Sequence, residues 1–363
     1  MIAEFVPGTV AANAPDRTRG QIAAWLLICA TLVLAITVLG GVTRLTHSGL
    51  SMVTWEPLVG VLPPLTEEAW EVEFEHYQQF PEYQIVNRGM DLAGFKAIFW
   101  FEYAHRLLAR FIGIAYALPF LFFLLMRRVE RRFGWKLFGL LILGGTQGLL
   151  GWLMVASGLV DRPDVSHYRL TAHLGLAVLI FIVMIWLALQ VLVPQALGGI
   201  GEPAPRRFRR AALAAIGGVY VLILSGGLVA GLDAGFAYNT FPTMDGHWVP
   251  ESLFTESPLE SIAGVQFLHR WLGVIVAAFL VLLWGRALDV GLPRGAMWAF
   301  HAVVVAMAAQ GLLGILTLVN VVPVPLAALH QGAALVVLAA VVAAAYLAGM
   351  SRLTPGPSIT IIE

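Results

Sequence analysis

Phe101-Glu102-Tyr103-Ala104-His105-Arg106 opens an apolar run that continues through Met126. Glu102 and His105 stand three residues apart and so share one face of a helix. That helix is greasy enough to sit in a bilayer, where ionisable groups are costly and each one is a functional hypothesis. Gln266-Phe267-Leu268-His269-Arg270 repeats the His-Arg pair but carries Gln where the first stretch has Glu.

The surrounding composition supports the membrane reading. Of 363 residues, 59% are hydrophobic and 12% are charged, about half the charged fraction of a soluble domain. The chain is therefore an integral membrane protein, with lipid as its first partner. Its formal net charge is zero, so the overall balance implies neither nucleic acid nor an acidic partner. The single cysteine, Cys29, excludes an internal disulfide framework and a Cys-rich metal site, and no Cys-x-x-Cys-His stretch offers covalent haem attachment.

Apolar segments long enough for roughly 30 Å of hydrocarbon occur at 22–42, 97–126, 136–157, 170–193, 211–231, 264–286, 297–319 and 326–349. They predict an all-α polytopic fold of eight transmembrane helices. Residues 1–20, polar and carrying Arg17 and Arg19, show no cleavage site after a short apolar core and read as a cytoplasmic tail. Arg127, Arg128, Arg131, Arg132 and Lys136 fill the second connection, and Arg206, Arg207, Arg209 and Arg210 the fourth. Arg286 and Arg294 mark the sixth, and Arg352 follows the last span. Positive charge collects on the cytoplasmic side, so both termini are expected there. The connections at 43–96 and 232–263, rich in Trp, Pro and Gly, then face outward and can cap a site.

The chain also repeats itself. His105-Arg106 aligns with His269-Arg270, Gln147-Gly148-Leu149-Leu150-Gly151 with Gln310-Gly311-Leu312-Leu313-Gly314, and Leu170-Thr171-Ala172-His173 with Ala327-Ala328-Leu329-His330. Each half has four spans and begins on the same side, which predicts a parallel repeat of two pseudo-symmetric four-helix bundles, 1–200 and 201–363.

His105, His173, His269 and His330 all fall near the outer start of the second, fourth, sixth or eighth span. In an up-down bundle the second and fourth helices are diagonal, so His105 can face His173, and His269 can face His330. That is a geometry for two axial imidazoles on one haem iron, twice over. The glycines of the Gln-Gly-Leu-Leu-Gly runs would let macrocycles or helices approach closely. One buried histidine is as often a packing residue as a ligand, but four at equivalent depth in two repeated pairs point to ligation. His47, His76, His167, His247 and His301 have no paired position and read as packing or loop residues. Glu-x-x-His also occurs in di-iron bundles, but those need several carboxylates and the membrane interior offers Glu102. Zinc accepts imidazoles too, though two separate pairs suit two bis-His centres better.

Arg106 and Arg270 follow ligand positions near the outer surface, where haem propionates would point and guanidinium can pair with carboxylate. Arg44 and Arg169 are also near that surface, where an interfacial anchor reading is equally open. Trp55, Trp70, Trp100 and Trp271 read as interface-belt or packing residues. The Glu102/Gln266 difference sets the first half apart from the second. A carboxylate one turn before His105 can stabilise positive charge or orient and deprotonate water, which Gln266 cannot do as an anion.

Gly40-Gly41-Val42-Thr43-Arg44-Leu45-Thr46-His47-Ser48-Gly49-Leu50-Ser51-Met52, then Trp55-Glu56-Pro57, Pro63-Pro64, Pro81-Glu82-Tyr83, Phe95-Lys96 and Glu102-Tyr103-Ala104-His105-Arg106, closely resemble the haem A synthase family, CtaA/Cox15. The resemblance runs over nearly the whole chain. It implies an eight-helix pair of bundles that oxidises the ring methyl of haem O to the formyl group of haem A for terminal oxidase assembly. By the same resemblance His105 and His173 bracket the substrate haem, His269 and His330 hold a haem b cofactor, and Glu102 is the essential carboxylate. Some members carry a cysteine pair after the first helix; this chain has none, so no thiol-linked step transfers to it. The lack of a long basic presequence suggests a bacterial inner-membrane member.

The chemistry expected is two hydroxylation-like steps with water-derived oxygen and loss of water from a geminal diol, with electrons passed to an acceptor the sequence does not identify. Two readings of other classes stay open: a di-haem b electron-transfer subunit, which has no use for a Glu in one half, and a haem-binding transporter or chaperone. Association with haem O synthase or an electron-transfer partner follows from pathway logic alone, and no motif commits the chain to homo-oligomerisation.

Overall fold

The computed structural model describes residues 16–53, 62–159, 165–193, 204–254 and 257–350. Trp55, Glu56, Pro57 and Arg352, used above, lie outside the described residues. Eight helices have membrane length and composition: α1 (Asp16–Leu45), α3 (Leu92–Leu125), α4 (Arg131–Gly158), α5 (His167–Leu192), α6 (Arg206–Gly231), α7 (Ile262–Val290), α8 (Arg294–Val319) and α9 (Val324–Leu347). The chain is an all-α, multi-pass membrane protein. Among the described residues there is no strand, only an isolated bridge between Met244 and His247.

Every span expected from hydropathy is present, and most begin several residues earlier than expected. Arg17 and Arg19 lie inside α1 rather than in a tail, and Arg206 to Arg210 form the first turn and a half of α6. Apolar length sets the part of a helix that sits in hydrocarbon, while charged side chains let it continue past that boundary. Helix α3 starts at Leu92 because Asp91 caps it, accepting from Gly94 N at 2.8 Å.

The first long connection is itself folded. Helix α2 (Glu67–Gln78) is capped by Thr66, whose Oγ1 accepts from Ala69 N at 3.2 Å. It lays Trp70 and Tyr77 onto Phe95 and Phe99 of α3. Trp70 is thus a packing residue, whereas Trp100 and Trp271 are substantially exposed on the apolar surface. Tyr77 is fully buried and hydrogen-bonded to both Glu82 and Asn87. Burial, and then the adjacent Glu82 carboxylate, push its hydroxyl well above the ordinary tyrosine range, so it stays protonated.

Helices α1, α5, α6 and α9 form the centre of the molecule, with α1 on α5 and α9, and α6 on α5 and α9. Around it, α1, α3, α4 and α5 pack in a closed ring, and so do α6, α7, α8 and α9. In each ring the first and third helices listed here are opposite one another, as are the second and fourth. Leu26, Val178, Leu187, Val219, Leu338 and Val342 are buried along the centre. Exposed Leu, Ile, Phe and Val side chains crowd the outer faces of α3, α4, α7 and α8, as expected of helices whose solvent is lipid rather than water.

Candidate functional site

The four histidines sit in four versions of one socket. A methyl group at Gly40 of α1 would lie 2.9 Å from His105 Cε1, and one at Gly226 of α6 would lie 3.2 Å from His269 Cε1. At Gly151 of α4 it would be 2.9 Å from His173 Cε1, and at Gly314 of α8, 2.8 Å from His330 Cε1. Each imidazole therefore points its Cε1 edge at backbone that only glycine leaves bare. Gly148 and Gly311, the other glycines of the two Gln-Gly-Leu-Leu-Gly runs, have open space where a Cβ would point. So the second glycine of each run makes room for an imidazole.

The neighbouring glycines join the halves. Gly41 receives the side chain of Gln331 from α9, and Gly227 receives Thr171 from α5, 3.1 Å from where a Cβ would be. Gln331 Nε2 also donates to Thr37 O at 3.0 Å. In each Gly-Gly pair the first glycine faces a histidine of its own half and the second faces the other half. Gly226-Gly227 went unnoticed in the sequence, although it stands as far from the end of α6 as Gly40-Gly41 does from the end of α1.

The histidines meet in pairs. The ring centres of His269 and His330 are 6.5 Å apart with planes at 86°. Two imidazoles bound to opposite sides of one metal ion at about 2 Å have centres roughly 6 Å apart. The separation of this pair is close to that of two imidazoles on one metal ion. His105 and His173 stand on the equivalent opposed helices, α3 and α5. Among the described residues no three His, Cys, Asp or Glu side chains converge on a metal-sized site; the donors come two at a time.

Polar neighbours hold these rings. Gln147 Nε2 donates to His173 O at 3.0 Å and lies 3.2 Å from His173 Nδ1. Gln310 Nε2 likewise donates to His330 O at 2.9 Å and lies 3.1 Å from His330 Nδ1. Ser225 Oγ is 2.8 Å from His269 Nδ1 and donates to Leu222 O at 2.7 Å. His105 Nδ1 is buried with no hydrogen-bond partner. The remaining histidines stay apart from the site: His301 accepts from Trp284 Nε1 at 3.0 Å, and His47 and His247 lie in turns.

Glu102 and Gln266 are equally buried, each 3% exposed. Glu102 Oε1 accepts from Arg106 Nε and Nη2, and Oε2 accepts from Ser51 Oγ at 2.9 Å and Met52 N at 2.7 Å. Arg106 Nη2 also donates to Met52 O at 2.7 Å. Gln266 Nε2 donates to Ala234 O and Ala237 O, while its Oε1 accepts from Arg270 Nη2 at 3.0 Å. Arg270 continues to the carbonyls of Tyr238, Thr240 and Thr243. Both residues clamp the segment that follows the preceding helix. The segments start alike, each turning through a left-handed residue two positions past its helix, His47 (φ 49°) and Asp233 (φ 51°).

The four arginines considered for propionates are all engaged with the chain. Arg106 and Arg270 hold the clamps just described. Arg44 Nη2 pairs with Asp233 Oδ2 at 2.7 Å, tying the end of α1 to the turn after α6. Arg169 Nη1 donates to Leu153 O at 2.9 Å from an exposed position. It lines a cleft of about 270 Å³ with Leu150, Leu153, Tyr168 and Ala172, one turn from His173.

Residues 23–342 match the family model described as COX15-CtaA, cytochrome oxidase assembly protein. The chain is similar to a heme A synthase of Nitrosospira multiformis, 48% identical over 88% of this chain and 91% of that protein. A heme A synthase of Paramagnetospirillum magneticum is 49% identical over 88% and 91%. One of Mesorhizobium japonicum is 44% identical over 98% and 97%.

Proposed function

The chain belongs to the COX15-CtaA family of cytochrome oxidase assembly proteins, and from that premise we propose that it is a haem A synthase. It is a membrane enzyme acting on haem O, whose ring methyl it oxidises to the formyl group of haem A. The observation that carries this reading is the repeated socket, an imidazole seated on a glycine and opposed to a second such imidazole, with a buried carboxylate beside one pair.

In this reading the chain divides into two four-helix units, 1–200 and 201–363. His105 and His173 hold the substrate haem between α3 and α5, and His269 and His330 hold a haem b between α7 and α9. When bound, haem b supplies a one-electron relay. What the protein itself contributes is orientation. The glycines under the rings fix the depth of each imidazole, and Gln147 and Gln310 fix the angle of the rings on α5 and α9.

Glu102 is the buried negative charge of the substrate half. Each of its oxygens already accepts two hydrogen bonds, which fills the acceptor positions of a carboxylate. It is therefore suited to act as a fixed anion beside the reacting edge, and to accept a proton from a water only where Ser51 or Met52 moves away. Oxygen derived from water, with the electrons passed to an acceptor outside the chain, would make this an oxidoreductase reaction. Arg169 is the arginine best placed for a substrate carboxylate, because it is exposed beside the cleft and its counterpart in the second half is Leu326. The clamps of Arg106 and Arg270, and the Arg44–Asp233 pair, keep the segments over the two pairs in place for the propionate edges.

The protein sits in a bacterial inner membrane, with the arginine-rich ends of the helices and both termini cytoplasmic and the histidine pairs toward the periplasm. Haem O synthase is the enzyme type that supplies its substrate. The test is pigment extraction: co-expression with a haem O source should yield haem A, and loss of it in Glu102→Gln with substrate haem still bound should follow. Haem O alone from the wild-type protein, with a suitable electron acceptor present, would reject the function.

A further inference from the structure

The two histidine sockets that face α1 and α6 differ at the residue before the glycine. Gly40 aligns with Gly226, so the residue before it, Leu39, aligns with Ser225. Ser225 Oγ lies 2.7 Å from Leu222 O and 2.8 Å from His269 Nδ1, so it can give its own proton to the backbone while accepting from an Nδ1–H. In that arrangement the imidazole proton is on Nδ1 and Nε2 keeps its lone pair. Leu39, at the matching position, has no polar side-chain atom to offer, and His105 Nδ1 is buried without a partner.

Resting on the four-histidine reading above, we propose that Ser225 is the positioning residue that makes the second haem resident, and that Leu39 leaves the first exchangeable. A hydrogen-bond acceptor behind a ligand histidine fixes its tautomer, orients its ring and raises its basicity, and its loss weakens metal binding by about 10–100-fold. A cofactor site needs that hold. A site that takes in haem O and lets haem A go is served by its absence, because an imidazole with an unsatisfied Nδ1–H is a poorer iron ligand. His173 and His330 each have a glutamine neighbour, so the difference lies on α3 and α7 and not on α5 and α9.

The experiment uses the full-length protein purified in detergent with its haem. It follows haem transfer to excess apomyoglobin and the reduction potential of each bis-imidazole signal, for wild type, Ser225→Ala, Ser225→Thr, Leu39→Ser and His269→Ala. The expected result is haem loss from the second site about 10–100-fold faster in Ser225→Ala, with a raised potential, because the less basic imidazole stabilises ferric iron less. Ser225→Thr should restore both. Leu39→Ser should slow loss from the first site and lower its potential, a gain that a damaged fold does not produce. Wild-type loss rates and potentials in both Ser225→Ala and Leu39→Ser overturn the proposal while leaving the histidine assignment standing. Full retention of the second haem in His269→Ala overturns that assignment, and the proposal with it.

Discussion

Around Glu102 the segment after α1 offers donors, the hydroxyl of Ser51 and the amide N–H of Met52; around Gln266 the segment after α6 offers acceptors, the carbonyls of Ala234 and Ala237. A carboxylate accepts and cannot donate, whereas a primary amide has two N–H groups to give. The difference between Glu and Gln in the two halves therefore has a structural cause independent of chemistry: each side chain has the polarity its own segment requires. The shared job is to fasten that segment to the helix bearing the histidine. Any catalytic role of Glu102 is added to this one, and a substitution there disturbs both.

Exchanging the polarities should do the most damage. Glu102→Gln presents an amide to donors on both sides and strips the buried partner of Arg106, a loss of about 3–5 kcal/mol; Gln266→Glu sets a carboxylate against two carbonyls. Thermal unfolding in detergent should show a large drop for each, and equal stability of Glu102→Gln and wild type would break the structural account. Ser51→Ala separates the roles, since it keeps the anion and removes one of its donors. It should cost about 1.5–3 kcal/mol, the range for a hydrogen bond to a charged group, and still make haem A. Loss of all product from a folded Ser51→Ala protein would mean that the clamp, not the charge, is what the reaction needs.

The glycines allow a finer comparison. Gly151→Ala forces a methyl to 2.9 Å from His173 Cε1 and should cost about 1–3 kcal/mol as overpacking, visible as a shifted haem spectrum. Gly148→Ala, three residues away and facing open space, should be within about 0.5 kcal/mol of wild type. Similar spectra for the two variants would remove the imidazole-seat reading. A similarly small effect is expected of Asp233→Ala. It breaks the pair with Arg44, whose side chains are 18% and 44% exposed, and such partly solvated pairs are worth about 0–1 kcal/mol. A larger loss in unfolding experiments would show that this bridge between the two halves is more than a surface contact.

The eight spans, the internal repeat and the four histidines were legible from residue order. Hydrocarbon thickness sets helix length, and a duplicated motif recurs in the same order whatever its contacts are. Helix α2 was hidden inside a polar loop because its apolar face is only four residues wide, matched to Phe95 and Phe99 rather than to lipid. The Glu102/Gln266 difference was also visible, but its cause was not. Ser51 and Met52 reach Glu102 from about fifty positions away, and whether a backbone segment turns its N–H groups or its carbonyls toward a side chain depends on the path it takes after the helix. The same holds for Ser225, which matters because the tertiary fold sets its oxygen behind His269, and for Leu39, which matters because it does not offer one to His105. Sequence alone determined which segments are long and apolar enough to cross a membrane; only the packing of the helices on one another decided which polar atoms each histidine and each clamp would meet.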